Sequence, residues 1–251
     1  MKTKTINGGR YYEVDESNGI YLPSVTTIIG AMTDKSALNK WRKDIGEENA
    51  DKVSQFSANR GTFMHTLHEQ YLNFLYVTPV DNPLQMTFKE ALLLSKDLSK
   101  EEIECGKNLF LQFQHNSDFY DRIGSILYQE VPVWSFLGGG YAGRLDLSIL
   151  SRDNKPKVID FKTSKKPKKE DWIKGYKLQT AAYSVAMWEI YGIFPHSTEI
   201  WISCETGDVQ MFEMNKSQIK QNFEEFLELV KGYHQKINEQ IQINNSNALL
   251  G

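Results

Sequence analysis

Between Ile123 and Ser135 the chain alternates, with Ile126, Tyr128, Glu130, Pro132 and Trp134 on one side and Leu127, Gln129, Val131 and Val133 on the other. Period-two alternation predicts a strand, and Pro132 places it at an edge or a bulge. Leu145, Leu147, Ile149 and Leu150 predict a second strand, and Val158 to Phe161 a third. The turn residues Asp153-Asn154 and Lys155-Pro156 between them make a hairpin. Two further hairpins are predicted, one of Glu199 to Ser203 with Val209 to Met214 across Gly207-Asp208. The other joins Arg10 to Val14 with Ile20 to Leu22.

The remaining apolar positions recur at helical spacing. A short helix opens at Ser24 as its cap and stops at Gly30. A charged helical stretch covers Lys35 to Ser57, and a second helix from Ala58 to Tyr76 carries the stripe Met64, Leu67, Tyr71 and Leu75. His65 and Glu69 share the flank of that stripe, and His68 is turned about 60° from His65. A Pro-marked loop over Val77 to Met86 leads to helices over Thr87 to Lys96 and Lys100 to Arg122. A helix over Glu170 to Tyr191 places Gln179 and Tyr183 one turn apart. A final helix from Ser217 buries Ile219, Phe223, Phe226 and Val230, with a frayed tail from Asn244.

Chemistry concentrates on the central hairpin. Asp146 is out of phase with Leu145 and Leu147 and so points away from their face, while Asp160 and Lys162, two apart, point to one side. If the register sets Asp146 beside Asp160, two carboxylates converge, and such a pair calls for a cation or a raised pKa. Hard carboxylate oxygens suit a divalent ion, and a neighbouring lysine suits an attacking water and phosphoryl charge, so the site fits phosphodiester cleavage.

Four stretches then occur in order: Arg60-Gly61-Thr62-Phe63-Met64-His65-Thr66-Leu67-His68-Glu69, Gly143-x-x-Asp146, Asp160-x-Lys162 and Gln179-x-x-x-Tyr183. This series resembles the PD-(D/E)XK nuclease superfamily, specifically its RecB-like branch. The stretch Leu22-Pro23-Ser24-Val25-Thr26, followed by Trp41, is similar to the family of the mitochondrial genome maintenance exonuclease and related phage-type exonucleases.

The resemblance implies an α/β fold: a restriction-endonuclease-like core with a mixed central β-sheet flanked by helices, plus an N-terminal helical elaboration. One domain is expected over 1–251, with a hairpin and helical part at 1–122, the sheet core at 123–240 and a flexible tail at 241–251. It implies catalytic roles for Asp146, Asp160, Lys162 and Gln179. The metal ligands would be His65, Asp146, Asp160 and the carbonyl of Phe161, with Glu130 a further candidate and His68 an alternative to His65. Arg60, Arg144, Thr163, Ser164, Lys165, Lys166 and Tyr183 are the expected nucleic-acid contacts. Mg2+ or Mn2+ is the expected cofactor. DNA, single-stranded or frayed, is the expected substrate, in a setting of replication, repair or recombination and their proteins. An endonuclease, or a DNA-binding module without catalysis, is compatible with the same residues.

Composition adjusts this picture. The 251 residues, 40% apolar, suffice for one sizeable core, and the net charge of −3 does not by itself indicate a polyanion binder. Distribution matters more, since Arg152 to Lys177 holds ten Lys/Arg against four Asp/Glu and is expected to form a phosphate-binding rim. Cys105 and Cys204 are too few for a four-cysteine iron–sulfur cluster, and the Gly138-Gly139-Gly140 turn is not a Walker loop, so neither cluster nor nucleotide cofactor is expected. With no membrane-length apolar run or signal peptide, the expectation is an intracellular protein, cytoplasmic in a phage or bacterial setting or in an organellar matrix, with no membrane partner.

Overall fold

The computed structural model describes residues 1–116 and 118–248, with side chains through 243. Its strands are β1 (Thr3–Ile6), β2 (Gly9–Asp15), β3 (Ile20–Pro23), β4 (Ile123–Ser135), β5 (Tyr141–Ser151), β6 (Pro156–Ser164), β7 (Ser197–Cys204) and β8 (Val209–Asn215). Its helices are α1 (Val25–Met32), α2 (Ser36–Ile45), α3 (Glu47–Leu72), α4 (Pro83–Leu94), α5 (Lys100–His115), α6 (Lys174–Tyr191) and α7 (Lys216–Ala248). The central sheet has the order β4-β5-β6-β7-β8, antiparallel except for the parallel β6/β7 pair that α6 connects. A parallel pair needs such a crossover, and β7, covered on both faces, is buried along its whole length. The result is the mixed, helix-flanked α/β architecture expected from the sequence.

Each face of the sheet carries its own core. On one, Phe63, Met64 and Leu67 of α3 and Phe110 and Phe113 of α5 pack on Leu147, Ile159, Phe161 and Trp201. On the other, Val25 and Ile28 of α1, Leu178 and Ala182 of α6 and Phe226 and Val230 of α7 pack on Val133, Tyr141, Leu145 and Val158. Helices α3 and α5 therefore supply one layer of the sandwich, and α1, α6 and α7 the other. Among the described residues no helix is long and apolar enough to cross a membrane.

Several boundaries differ from the sequence reading. Strand β1 was not expected because Thr3-Lys4-Thr5-Ile6 lacks an apolar stripe; the available signal was Asn7-Gly8, whose positive φ values of 49° and 77° build a two-residue hairpin turn. Helix α3 runs unbroken through Ser57-Ala58, and the chain breaks instead at Gly46, where φ is 84°. Gly30 does not end α1, since Met32 continues the helix and packs into the α6/α7 core. Helix α5 ends at His115 rather than Arg122. Helix α7 continues to Ala248, past the point where a tail was expected; residues 249–251 of that tail lie outside the described residues.

Three-stranded β1-β2-β3 leans on the central sheet through an isolated bridge between Ser24 and Ala142, and Tyr12 and Leu22 pack on Ala142. This contact brings the N-terminal sheet and α1 to the end of β5 and β6 where the acidic residues lie.

Candidate metal centre

The β5/β6 ladder is paired from Leu150–Pro156 to Leu147–Ile159 and stops there, one position short of Asp146 and Asp160. Instead of a backbone bond, the side chain of Asp146 closes the gap, its Oδ2 accepting the Phe161 N–H at 2.9 Å. On the other side Val131 pairs with Leu145 and Gln129 with Leu147, so Glu130 and Asp146 face each other between these pairs. Both strands turn over there. Leu145 packs on the α6 side while Leu147 packs on the α3 side, and Tyr128, Val131 and Val133 all belong to the α6 core. The strict alternation expected of both strands therefore fails at these two acids. Glu130 is the cause on β4, with a left-handed φ of 49° that a β-strand residue seldom adopts. Such strain is characteristic of functional sites.

The distortion gathers three donors. His65, from α3, places Nδ1 3.5 Å from Asp146 Oδ2 and 4.0 Å from Glu130 Oε1. Donor atoms of His65, Glu130 and Asp146 all lie within 4.8 Å of one another. Asp160 stands beside them, 1% exposed, with Oδ1 accepting the Gln179 amide at 3.2 Å. Its Oδ2 forms an ion pair with the Lys162 ammonium, so a cation bound beside Asp160 would share this carboxylate with the lysine. Gln179 also donates to the Tyr183 hydroxyl at 3.2 Å, and a Cβ on Gly143 would overlap the Tyr183 ring. Gly143 thus lets β5 approach α6 closely enough for this chain of contacts.

Charge states follow from burial and crowding. Burial, then the Asp146 charge, pushes Glu130 up to about 8. Burial also raises Asp160, to about 6, and raises Asp146 against the opposing pull of Lys162. Burial and then the Lys162 charge push His65 down to about 4, so its imidazole is neutral and able to ligate. Burial works to lower Lys162, but Asp160 and Asp146 outweigh it and hold the amine above its ordinary value. Two hard oxygens, one neutral nitrogen and a further carboxylate nearby fit a divalent ion.

This crowding sets a pH dependence for the metal-free protein. A carboxyl whose folded pKa is raised stabilises the fold below its unfolded value, and that contribution is lost as pH rises through the folded value. Asp160 loses it between about 4 and 6 and Glu130 between about 4.5 and 8. His65, depressed, acts in the opposite sense between about 4 and 6.5. Above pH 6.5 the Glu130 contribution remains, so the thermal midpoint in EDTA is expected to fall from pH 6.5 to 8.5, and Mg2+ to restore more at 8.5. A midpoint in EDTA that rises over this interval would show that the acids do not crowd.

A cleft of about 560 Å³ opens over these groups, walled by Arg10, Tyr12, Ser24 and Thr26 on one side and by Ser57, Ala58, Gly61 and Thr62 of α3 on the other. Arg144, Phe161, Thr163, Gln179 and Tyr183 also line it. Arg144 is 55% exposed at its side chain and reaches back to Glu130, Nε lying 2.7 Å from Oε2. Lys165 and Lys166 are exposed. Two expected nucleic-acid contacts are engaged within the protein. Arg60 is 4% exposed and paired with Glu205, because α3 turns it under the cleft wall; Ser164 is buried, its hydroxyl donating to the Lys166 carbonyl. His68, named as the alternative to His65, is buried in the core, Nδ1 2.7 Å from the Tyr120 hydroxyl and its ring stacked 3.9 Å from Phe161. Sequence reading missed Arg10 and Tyr12, which carry no motif. Ser24 does cap α1 by accepting the Thr27 N–H, and it lines the cleft as well.

Comparison with solved structures finds similarity to a protein from Eubacterium rectale called "Putative exonuclease", at 14% identity and a TM-score of 0.46. The match covers 71% of this chain and 66% of that one. A second similar structure, of SSO0001, has 18% identity and a TM-score of 0.33, over 67% of this chain and 74% of that one. No curated protein matches the sequence. A family model described as the PD-(D/E)XK nuclease superfamily matches residues 40–247.

Proposed function

Since the chain belongs to the PD-(D/E)XK nuclease superfamily, we propose that it is a metal-dependent DNA exonuclease acting on single strands or frayed ends. The observation that carries this reading is the convergence of His65, Glu130 and Asp146 beside the buried Asp160–Lys162 pair, in one cleft. His65, Asp146 and Asp160 would hold the ion, with Glu130 and the Phe161 carbonyl completing its surroundings. The chemistry such an ion would supply there is polarisation of the phosphoryl group and a lower pKa for a nearby water.

The chain's own residues do the rest. Lys162, held protonated by two carboxylates, acts as a cation that orients the attacking water and offsets phosphoryl charge; the same charge state makes it a poor general base. Gln179 holds Asp160 in place, and Tyr183 supports β5 through the contact at Gly143. Thr163 and Arg144 line the cleft where a backbone phosphate would lie, and Lys165 and Lys166 extend the cationic edge. Contacts of this kind read charge rather than bases, so cleavage should be tolerant of sequence and sensitive to salt.

Walls on both sides of the metal site suit a strand separated from its complement and entering by its end. A linear single strand labelled at one end is expected to be degraded with Mg2+ or Mn2+, and EDTA to stop the reaction. A closed single-stranded circle of the same sequence should persist much longer. Rapid cutting of the circle would remove the exonuclease reading and leave an endonuclease.

A further inference from the structure

A second groove, of about 590 Å³, lies between the Asn7-Gly8 turn, α1 and α7. Three cations line it, Arg10, Lys35 and Lys236, and no carboxylate does. None of the three forms an ion pair among the described residues. In a chain of net charge −3, three unpaired cations around a groove without an acid form a local anion-attracting surface.

The groove is continuous with the metal cleft. Arg10 and Thr26 line both, and Arg10 also lines the recess where Arg144 meets Glu130. Arg10 is held at this junction by its backbone, which donates to Thr27 Oγ1 at 3.0 Å and accepts the Ser24 N–H at 2.8 Å. The groove's floor includes Tyr11 and Tyr233, whose hydroxyls lie 2.8 Å apart and tie β2 to α7. Its geometry is therefore set by the packing of three elements.

Resting on the nuclease reading, we propose that this groove is a strand-binding flank: a single-stranded nucleic acid engaged at the metal cleft continues over Arg10 and lays its phosphates against Lys35 and Lys236. A polyanion satisfies all three cations along one path, and the shared Arg10 makes that path continuous with the reacting phosphate. The flank adds affinity only for strands long enough to reach it.

The test compares binding of fluorescent oligonucleotides of about 4 and about 16 nucleotides, in EDTA, by the wild-type chain and by Lys35→Glu/Lys236→Glu. A Lys89→Glu/Lys96→Glu variant, altered on exposed positions of α4 and beyond its end, controls for net charge. The groove variant is expected to bind the longer strand at least about tenfold more weakly. Its log–log salt slope should be shallower by about 1.4, at about 0.7 for each phosphate that a lysine no longer neutralises. Both variants should hold the short strand equally, and thermal midpoints should match. Wild-type affinity of the groove variant for the longer strand, with cleavage intact, would overturn the flank and leave the nuclease reading standing. An equal loss in the control variant would overturn it as well, as a bulk charge effect. If the wild-type chain neither binds nor cleaves single strands, the nuclease reading fails and the flank with it.

Discussion

Asp146→Asn is expected to abolish cleavage while leaving the metal-free protein at least as stable as the wild type. Asp146 is 11% exposed at its side chain, faces Glu130 and His65, and has a carboxyl whose pKa burial raises. An amide keeps the oxygen that accepts the Phe161 N–H. It removes the negative charge that crowds Glu130 and would bind a cation. Metal-assisted charge stabilisation contributes several kcal/mol, and each 1.36 kcal/mol is tenfold in rate, so the loss should be on the order of 10³-fold. Binding of a single strand should persist, because the cationic walls are untouched. Asp160→Asn should be equally inactive but less stable than Asp146→Asn, since it strips the Lys162 ammonium of its carboxylate partner. Turnover of Asp146→Asn within tenfold of wild type would place the chemistry elsewhere.

His65→Ala and His68→Ala should separate function from stability, although the two residues are three apart on one helix. His65 opens on the cleft with its side chain 28% exposed and meets the core at the edge of the Phe161 ring, 6.1 Å between centroids. Its removal should leave the thermal midpoint nearly unchanged and weaken activity and metal affinity by at least the ~10–100-fold typical of removing an outer-sphere partner. His68 is enclosed by Phe110, Phe113, Tyr120 and Phe161. Truncating such a ring leaves a cavity and costs about 3 kcal/mol, by analogy with buried aromatic-to-alanine changes, or roughly 6–12 °C for a chain of this size. Activity of His68→Ala measured well below its midpoint should be close to wild type. The opposite pattern would mean that His68 turns into the cleft when metal binds.

Much of this was legible because it depends on short-range periodicity. The hairpin of β5 and β6 could be placed from turn residues between two apolar runs. The pairing of Leu147 with Ile159 then puts Asp146 level with Asp160, as a simple hairpin register requires. His65 could be set on the flank of its apolar stripe by the helical period alone. The true start of α3 could not, because a charged stretch is compatible with helix on either side of Ser57 and only Gly46, at φ 84°, breaks the backbone. The partners of Ser164 and Arg60 were hidden for a related reason: polar side chains look available in a sequence whether they point outward or close a loop and a buried ion pair.

By itself the sequence determined the identity and order of the chemical groups: two aspartates and a lysine on a hairpin, a histidine on a helix, and a glutamine and tyrosine one turn apart. These are local properties, set by periods of 2 and 3.6 and by turn residues that break them. Tertiary structure alone decided that Glu130 joins the donors, because its left-handed backbone reverses the face of β4 opposite the reversal of β5 at Asp146. It alone decided that His65 faces the cleft while His68 is sealed behind Phe161, and that Arg10, more than 130 residues from Asp146 along the chain, lines the same cleft. Such placements follow from packing between distant segments, where burial and the pairing of polar groups choose among arrangements that local sequence leaves equivalent.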